Sequence, residues 1–111
     1  MILYGLKTCD TCRKAMKSLE NSEFWDIRTR PLPKDVAQAA LDRFGAALVN
    51  RQSTTWRSLS NAERERNPLE LLVDHPALMK RPLIEDAGRL YLGWGMDTQA
   101  ALLGQGGEMS R

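Results

Sequence analysis

The sequence predicts an α/β fold: a mixed four-stranded sheet interrupted midway by a helical insertion. Three observations carry this. An apolar run, Ile2-Leu3-Tyr4, stops at Gly5 and gives way within a few residues to a helical pattern. An aromatic and β-branched run at residues 24–28 then closes a compact β-α-β unit, which favours a parallel pair with a right-handed crossover. Near the other end, Leu83-Ile84-Glu85 and Arg89-Leu90-Tyr91-Leu92 flank Asp86-Ala87-Gly88, whose glycine suits the tight reversal of a β-hairpin.

Each element has its own signal. The first helix is read from Thr8 onward, because Cys12, Ala15, Met16 and Leu19 recur at i, i+3, i+4 and i+7 while Arg13, Lys14 and Lys17 face out. Thr8 or Asp10 is expected as its N-cap, and Asn21-Ser22 as its end. After the break at Pro31-Leu32-Pro33, Val36, Ala37, Ala40, Leu41 and Phe44 form the apolar face of a helix over residues 34–44, stopped by Gly45. Residues 50–61 are polar apart from Trp56 and Leu59 and read as a loop followed by a short helix. Asn67-Pro68-Leu69-Glu70 has the cap, the N1 proline and the acidic third position of a helix start; that helix runs to Asp74 before His75-Pro76. Residues 99–103 suggest a closing helix, and the glycine-rich residues after it a frayed tail.

With 111 residues the chain is expected to form one domain: a core of about residues 1–33 and 79–104, an insertion of about 34–78, and a flexible tail, 105–111. A net charge of +2, with its basic residues scattered, does not argue for nucleic-acid binding, and no apolar run is long enough for a membrane helix. Met1-Ile2-Leu3-Tyr4 lacks the basic start of a signal peptide, so a cytoplasmic protein is expected. In such a chain two cysteines spaced Cys-x-x-Cys point to redox chemistry more than to a staple. A metal is not expected, since Cys9, Cys12 and the single histidine, His75, fall short of the four ligands of structural zinc.

With the insertion set aside, the order β-α-β then β-β-α is the thioredoxin-like (glutaredoxin-like) topology. Tyr4-Gly5-x-x-x-Cys9, then Asn50-Arg51-Gln52-Ser53-Thr54-Thr55-Trp56-Arg57, then Lys80-Arg81-Pro82-Leu83-Ile84 occur in sequence. The chain thereby resembles the arsenate reductase-like (ArsC/Spx/YffB) family of thioredoxin-fold proteins from Met1 to about Leu103. The resemblance implies that Cys9 is the nucleophile, that Arg13, Arg51 and Arg81 are the family's arginines, and that Pro82 is the cis-proline facing the active cysteine. Two departures are visible. Leu92-Gly93-Trp94-Gly95 stands where arsenate reductases proper carry a further arginine, which weighs against efficient arsenate turnover. Position 12 is a cysteine, as in Spx-type redox switches.

The residues themselves allow a bland reading beside each functional one. Cys9 at a helix N-terminus, one turn from Arg13, is expected to be a thiolate-forming nucleophile rather than a small buried hydrophobe. Cys12 is either a resolving thiol or part of the apolar face with Ala15 and Leu19; a disulfide needs Cys9 to sit just before the helix proper. Arg13, Arg51 and Arg81 are ordinary surface charges unless gathered around Cys9, where they would clamp an oxyanion or the carboxylates of glutathione. Thr8 joins Arg51, Arg81 and Pro82 as a substrate-binding candidate, though it also serves as a cap or loop residue. Trp56 reads as core more than as a substrate platform, and His75 is too isolated to act as a base.

The expected function is that of a thiol-dependent reductase acting on a small thiol or oxyanion substrate. It needs no bound cofactor, takes electrons from glutathione or a glutaredoxin/thioredoxin system, has glutaredoxin as a possible protein partner, and is a monomer. The rival is an Spx-like regulator that binds RNA polymerase and uses Cys9–Cys12 as a switch.

Overall fold

The computed structural model describes residues 1–104; the tail expected to fray lies beyond the described residues. The chain divides into two compact units, one made of Met1–Asp26 together with the chain from Arg81, the other of Ile27–Lys80. The expected insertion falls within the second.

The first unit is built on a four-stranded sheet in the order β2-β1-β3-β4, formed by β1 (Ile2–Gly5), β2 (Glu23–Asp26), β3 (Leu83–Asp86) and β4 (Arg89–Leu92). β1 runs parallel to β2, Ile2 facing Glu23 and Gly5 facing Asp26, and antiparallel to β3; β3 and β4 form the predicted hairpin. A parallel pair cannot be joined by a tight turn. The crossover is α1 (Asp10–Ser18), whose Cys12 and Ala15, followed by Leu19 at the C-cap, bury against Leu3 of β1 and Ile84 of β3. On the other side of the pairing, Tyr4 and Trp25 stand in register with ring centroids 5.5 Å apart. Leu3, Cys12, Ala15 and Ile84 are all 0% exposed, so this cluster is the unit's core.

Three parts of the first unit differ from expectation: the second strand, the first helix and the closing helix. The second strand stops at Asp26 rather than residue 28. Helix α1 runs from Asp10 to Ser18, ending at Leu19 rather than at Asn21-Ser22, and neither Thr8 nor Asp10 is its N-cap; Cys9 is. The hairpin turn lies where it is expected and uses the left-handed region twice, at Ala87 (φ 53°) and Gly88 (φ 82°), which is the two-residue reversal that matches strand twist. The closing helix starts earlier than expected, as α6 (Met96–Gln99), and continues as a π-helical turn, Ala100–Gly104; the Gln99 side-chain amide donates to the Trp94 carbonyl at 2.9 Å.

In the second unit α2 (Lys34–Phe44) has the predicted bounds, with Gly45 at its C-cap in a positive-φ conformation (φ 58°) open to glycine. A 3-10 turn, Gly45–Leu48, follows. Where one short helix was expected there are two, α3 (Thr54–Ser58) and α4 (Asn61–Arg64). Their caps explain both: Ser53 Oγ accepts from the Trp56 N–H at 3.1 Å, and Ser60 Oγ from the Glu63 N–H at 3.2 Å. Helix α5 (Pro68–Asp74) starts as read, the Asn67 side chain accepting from the Leu69 N–H at 2.8 Å. It packs against α2. A further link was not foreseen: Val49 pairs antiparallel with Met79, and bonds from Asn50 N to Leu78 O (2.8 Å) and Lys80 N to Leu48 O (2.7 Å) flank the bridge.

Candidate redox site

The loop after β1 places Cys9 outside the helix proper. Its N–H donates to the Leu6 carbonyl at 3.1 Å, closing the turn, and its own carbonyl accepts the first helical bond from Arg13 N at 3.0 Å. The backbone at Cys9 is extended (φ −86°, ψ 120°), as at a helix N-cap. A serine or aspartate here would cap the helix with oxygen; Cys9 makes no such conventional cap bond, yet the Cys12 N–H still favours negative charge on its sulfur. Cys9 is half-buried, Cys12 fully buried, and both are free thiols.

Opposing effects act on Cys9. Partial burial raises its pKa, and this is outweighed by the Cys12 N–H, the Cys12 thiol and the Arg81 guanidinium, each favouring the thiolate; the pKa ends below the ordinary thiol value. Cys12 goes the other way. Burial, reinforced by the neighbouring Cys9 sulfur, outweighs the Leu6 N–H and pushes its thiol up to about 12. At neutral pH the pair is therefore a thiolate-prone Cys9 beside a protonated Cys12, and the S–H of Cys12 is a donor to the Cys9 sulfur.

Among the sequence candidates, Cys9, Cys12 and Arg81 are brought together. Arg81 precedes Pro82 through a cis peptide, and the Pro82 carbonyl accepts from the Gly93 N–H at 2.8 Å, tying the post-hairpin loop to the strand entrance. Arg13 is differently engaged: its guanidinium pairs with the Asp10 carboxylate, both exposed, and the cation acting on Cys9 is Arg81. Arg13 in turn holds the Asp10 carboxyl below its usual range. From sequence Asp10 is expected only as a cap; its i, i+3 spacing to Arg13 is the signal for the ion pair. Thr8 is an exposed turn residue.

Arg51 belongs to the second unit. It is exposed, with its guanidinium 5.6 Å from the Trp56 ring centroid; Arg64 sits 5.5 Å from the same ring and donates from Nε to the Trp56 carbonyl at 3.2 Å. Trp56 is half-buried and organises two cations rather than filling a core. Among the described residues no group of three or more His, Cys, Asp or Glu could hold a metal ion, and no helix is long and apolar enough to cross a membrane.

Comparison with known proteins fits this arrangement. The model of the ArsC family matches residues 4–102. An uncharacterised protein of Haemophilus influenzae is 36% identical, the match covering 89% of this chain and 96% of that one. The global transcriptional regulator Spx of Bacillus subtilis is 31% identical, over 86% of this chain and 80% of its own. Among solved structures, a YffB protein superposes with a TM-score of 0.83 at 31% identity, covering 92% of this chain and 97% of the other. An arsenate reductase (ArsC) related protein from Brucella melitensis gives a TM-score of 0.68 at 30% identity, over 90% and 91%. On these likenesses, and on a mixed sheet of thioredoxin-like order with a cysteine capping the first helix, the chain belongs to the ArsC family.

Proposed function

We propose that the protein is a thiol-dependent oxidoreductase in which Cys9 is the attacking group. The observation that carries this is the pair of unlike thiols at the head of α1: one favoured as thiolate by a backbone N–H and Arg81, the other held as a protonated donor beside it. In the first step the Cys9 thiolate attacks one sulfur of an oxidised thiol. A Cys9–S–S–R bond forms, the substrate S–S bond breaks, and the second thiol leaves with its electron pair. In the second step Cys12 attacks the Cys9 sulfur, forming a Cys9–Cys12 disulfide and releasing R–SH. Two external thiols such as glutathione then reduce that disulfide in two exchanges, leaving as their own disulfide and returning both cysteines to thiols. Alternatively an external thiol attacks the R sulfur of the mixed disulfide directly and frees Cys9. Cys12 is a poor nucleophile while Cys9 carries charge. Once Cys9 is in a disulfide that charge is gone, and one cause of the raised Cys12 pKa goes with it.

Arg81 would hold the negative charge of either sulfur, and with Arg13 at the start of α1 would bind an oxyanion or a glutathione carboxylate. Glutathione, glutaredoxin or thioredoxin would be the electron source. Turnover of glutathionylated peptides and low-molecular-weight disulfides, followed through glutathione oxidation, tests the proposal. Loss of turnover in Cys9→Ser is expected; a wild-type protein that turns over none of the panel would refute it.

A second reading rests on the likeness to Spx together with the two thiols in one loop: a redox-sensing regulator that contacts RNA polymerase. Redox-dependent capture of purified polymerase without thiol turnover would favour it.

A further inference from the structure

Gly5 ends β1 with an ordinary strand backbone, and its φ is not in the left-handed region, so nothing in its conformation calls for glycine. What calls for it is Cys12. A methyl carbon at position 5 would lie 2.5 Å from Cys12 Sγ, 3.3 Å from Cys12 Cβ and 3.4 Å from Leu3 Cδ2. The first distance is about 1 Å inside the ~3.5 Å at which non-bonded heavy atoms begin to attract. The sulfur thus occupies the space a side chain would fill, and there it is 0% exposed.

From this position the thiol faces Cys9, which packs against the same core cluster. We infer that Gly5 is a positioning residue for the thiol pair: the niche left by its missing side chain seats the Cys12 sulfur so that its S–H meets the Cys9 sulfur. The inference rests on the proposed role of Cys9 and extends it to a strand residue outside the Cys-x-x-Cys loop. In a helix the side chain of Cys12 has few wells open to it, because one χ1 region collides with the preceding turn. A Cβ at position 5 forces the sulfur into another well or lifts α1 off β1. Either movement breaks the S–H contact with Cys9. Loss of this hydrogen bond to a charged partner corresponds to a drop of about tenfold or more in thiolate population at pH below the Cys9 pKa.

The test is the rate of iodoacetamide alkylation at Cys9, followed by mass spectrometry from pH 5 to pH 9. Gly5→Ala is made in the wild-type chain and in Cys12→Ala. The expected result is about tenfold slower alkylation near pH 6 for Gly5→Ala when Cys12 is present, a pH profile moved to higher pH, and no further change when Gly5→Ala is added to Cys12→Ala. A folded Gly5→Ala with the wild-type profile overturns the inference. So does equal slowing with and without the sulfur at position 12, because the effect would not then pass through Cys12. Should Gly5→Ala fail to give a cooperative melt, Cys12→Ser and Cys12→Ala decide. The serine hydroxyl fits the niche and donates as the thiol does, so Cys12→Ser keeps Cys9 reactivity and Cys12→Ala loses it; equal rates in the two overturn the inference. A wild-type Cys9 no more reactive than free cysteine would instead strike at the proposed function, and is read from the wild-type profile alone.

Discussion

Replacing Cys12 by alanine changes how stability depends on alkaline pH. The Cys12 thiol ionises at an ordinary value of 9.0 when unfolded and is pushed up to about 12 in the fold, chiefly by burial. The folded state therefore keeps a proton that the unfolded chain releases, and the unfolded state binds fewer protons as pH rises above 9. Stability from this group is fully present below pH 9 and lost as pH climbs toward about 12. The slope cannot exceed about 1.4 kcal/mol per pH unit, and the whole interval sets a ceiling of about 4 kcal/mol. Part of the rise comes from the Cys9 sulfur, which solvent screens, so about 2 kcal/mol is the expected loss. Cys9, whose thiolate loses the Cys12 donor in the variant, alters the comparison chiefly at and below pH 9, so the readout is the trend from pH 9 to 10.5. Its pKa is lowered by folding, so its contribution is complete above pH 9 and is lost only at lower pH, on falling through its folded value. Urea unfolding of the wild type and Cys12→Ala at pH 8, 9, 10 and 10.5 would read this out under reducing conditions. The lost side-chain volume subtracts a constant from the variant at every pH. The stability difference between the two proteins should shrink steadily above pH 9. A difference that stays constant to pH 10.5 would show that Cys12 ionises equally in both states and refute the reasoning.

Four more outcomes are expected. Arg81→Gln should slow Cys9 alkylation near pH 6 about tenfold, because it removes the cation and the hydrogen bond that favour the thiolate; an unchanged pH profile would assign that role elsewhere. Arg13→Gln should change it far less, since Arg13 is paired with exposed Asp10. Ala87→Asn should raise stability by about 0.5–1 kcal/mol in thermal or urea unfolding, as asparagine tolerates the left-handed conformation that alanine adopts at φ 53°. Leu3→Ala, at a position 0% exposed in the α1–sheet core, should cost about 2–5 kcal/mol, and a cost below 1 kcal/mol would contradict the packing described.

Elements with a long period or strong punctuation were legible. Helix α2 has both, and its bounds follow from the Pro33 and Gly45 that flank it. The sheet was legible because a short crossover and a glycine turn each permit few topologies. Cys9 as a cap was not, since cysteine is a poor cap by chemistry and Thr8 and Asp10 are good ones on either side. The second short helix hid in a polar stretch, although Ser60 and Glu63 carry the spacing of a capping box. The Val49–Met79 bridge joins residues thirty apart through a single pair and leaves no periodicity to read. At the site, both the nearest arginine, Arg13, and the distant Arg81 are expected from sequence to favour the thiolate, and of the two it is Arg81 that does. Arg13 had a carboxylate one helical turn back, Asp10, and a local ion pair competes with any longer reach. Gly5 looked like a strand stop. Its second property, the absence of a side chain where a sulfur must fit, exists only once β1 and α1 are packed.

The account rests on Cys9 being the ionised thiol of the pair. Its most direct test is the pH dependence of alkylation at Cys9 in the native wild-type protein, measured beside free cysteine under the same conditions. The predicted result is a midpoint below that of free cysteine, with Cys12 unmodified until the protein is unfolded. A midpoint at or above that of free cysteine, or faster labelling of Cys12 in the native state, would contradict it.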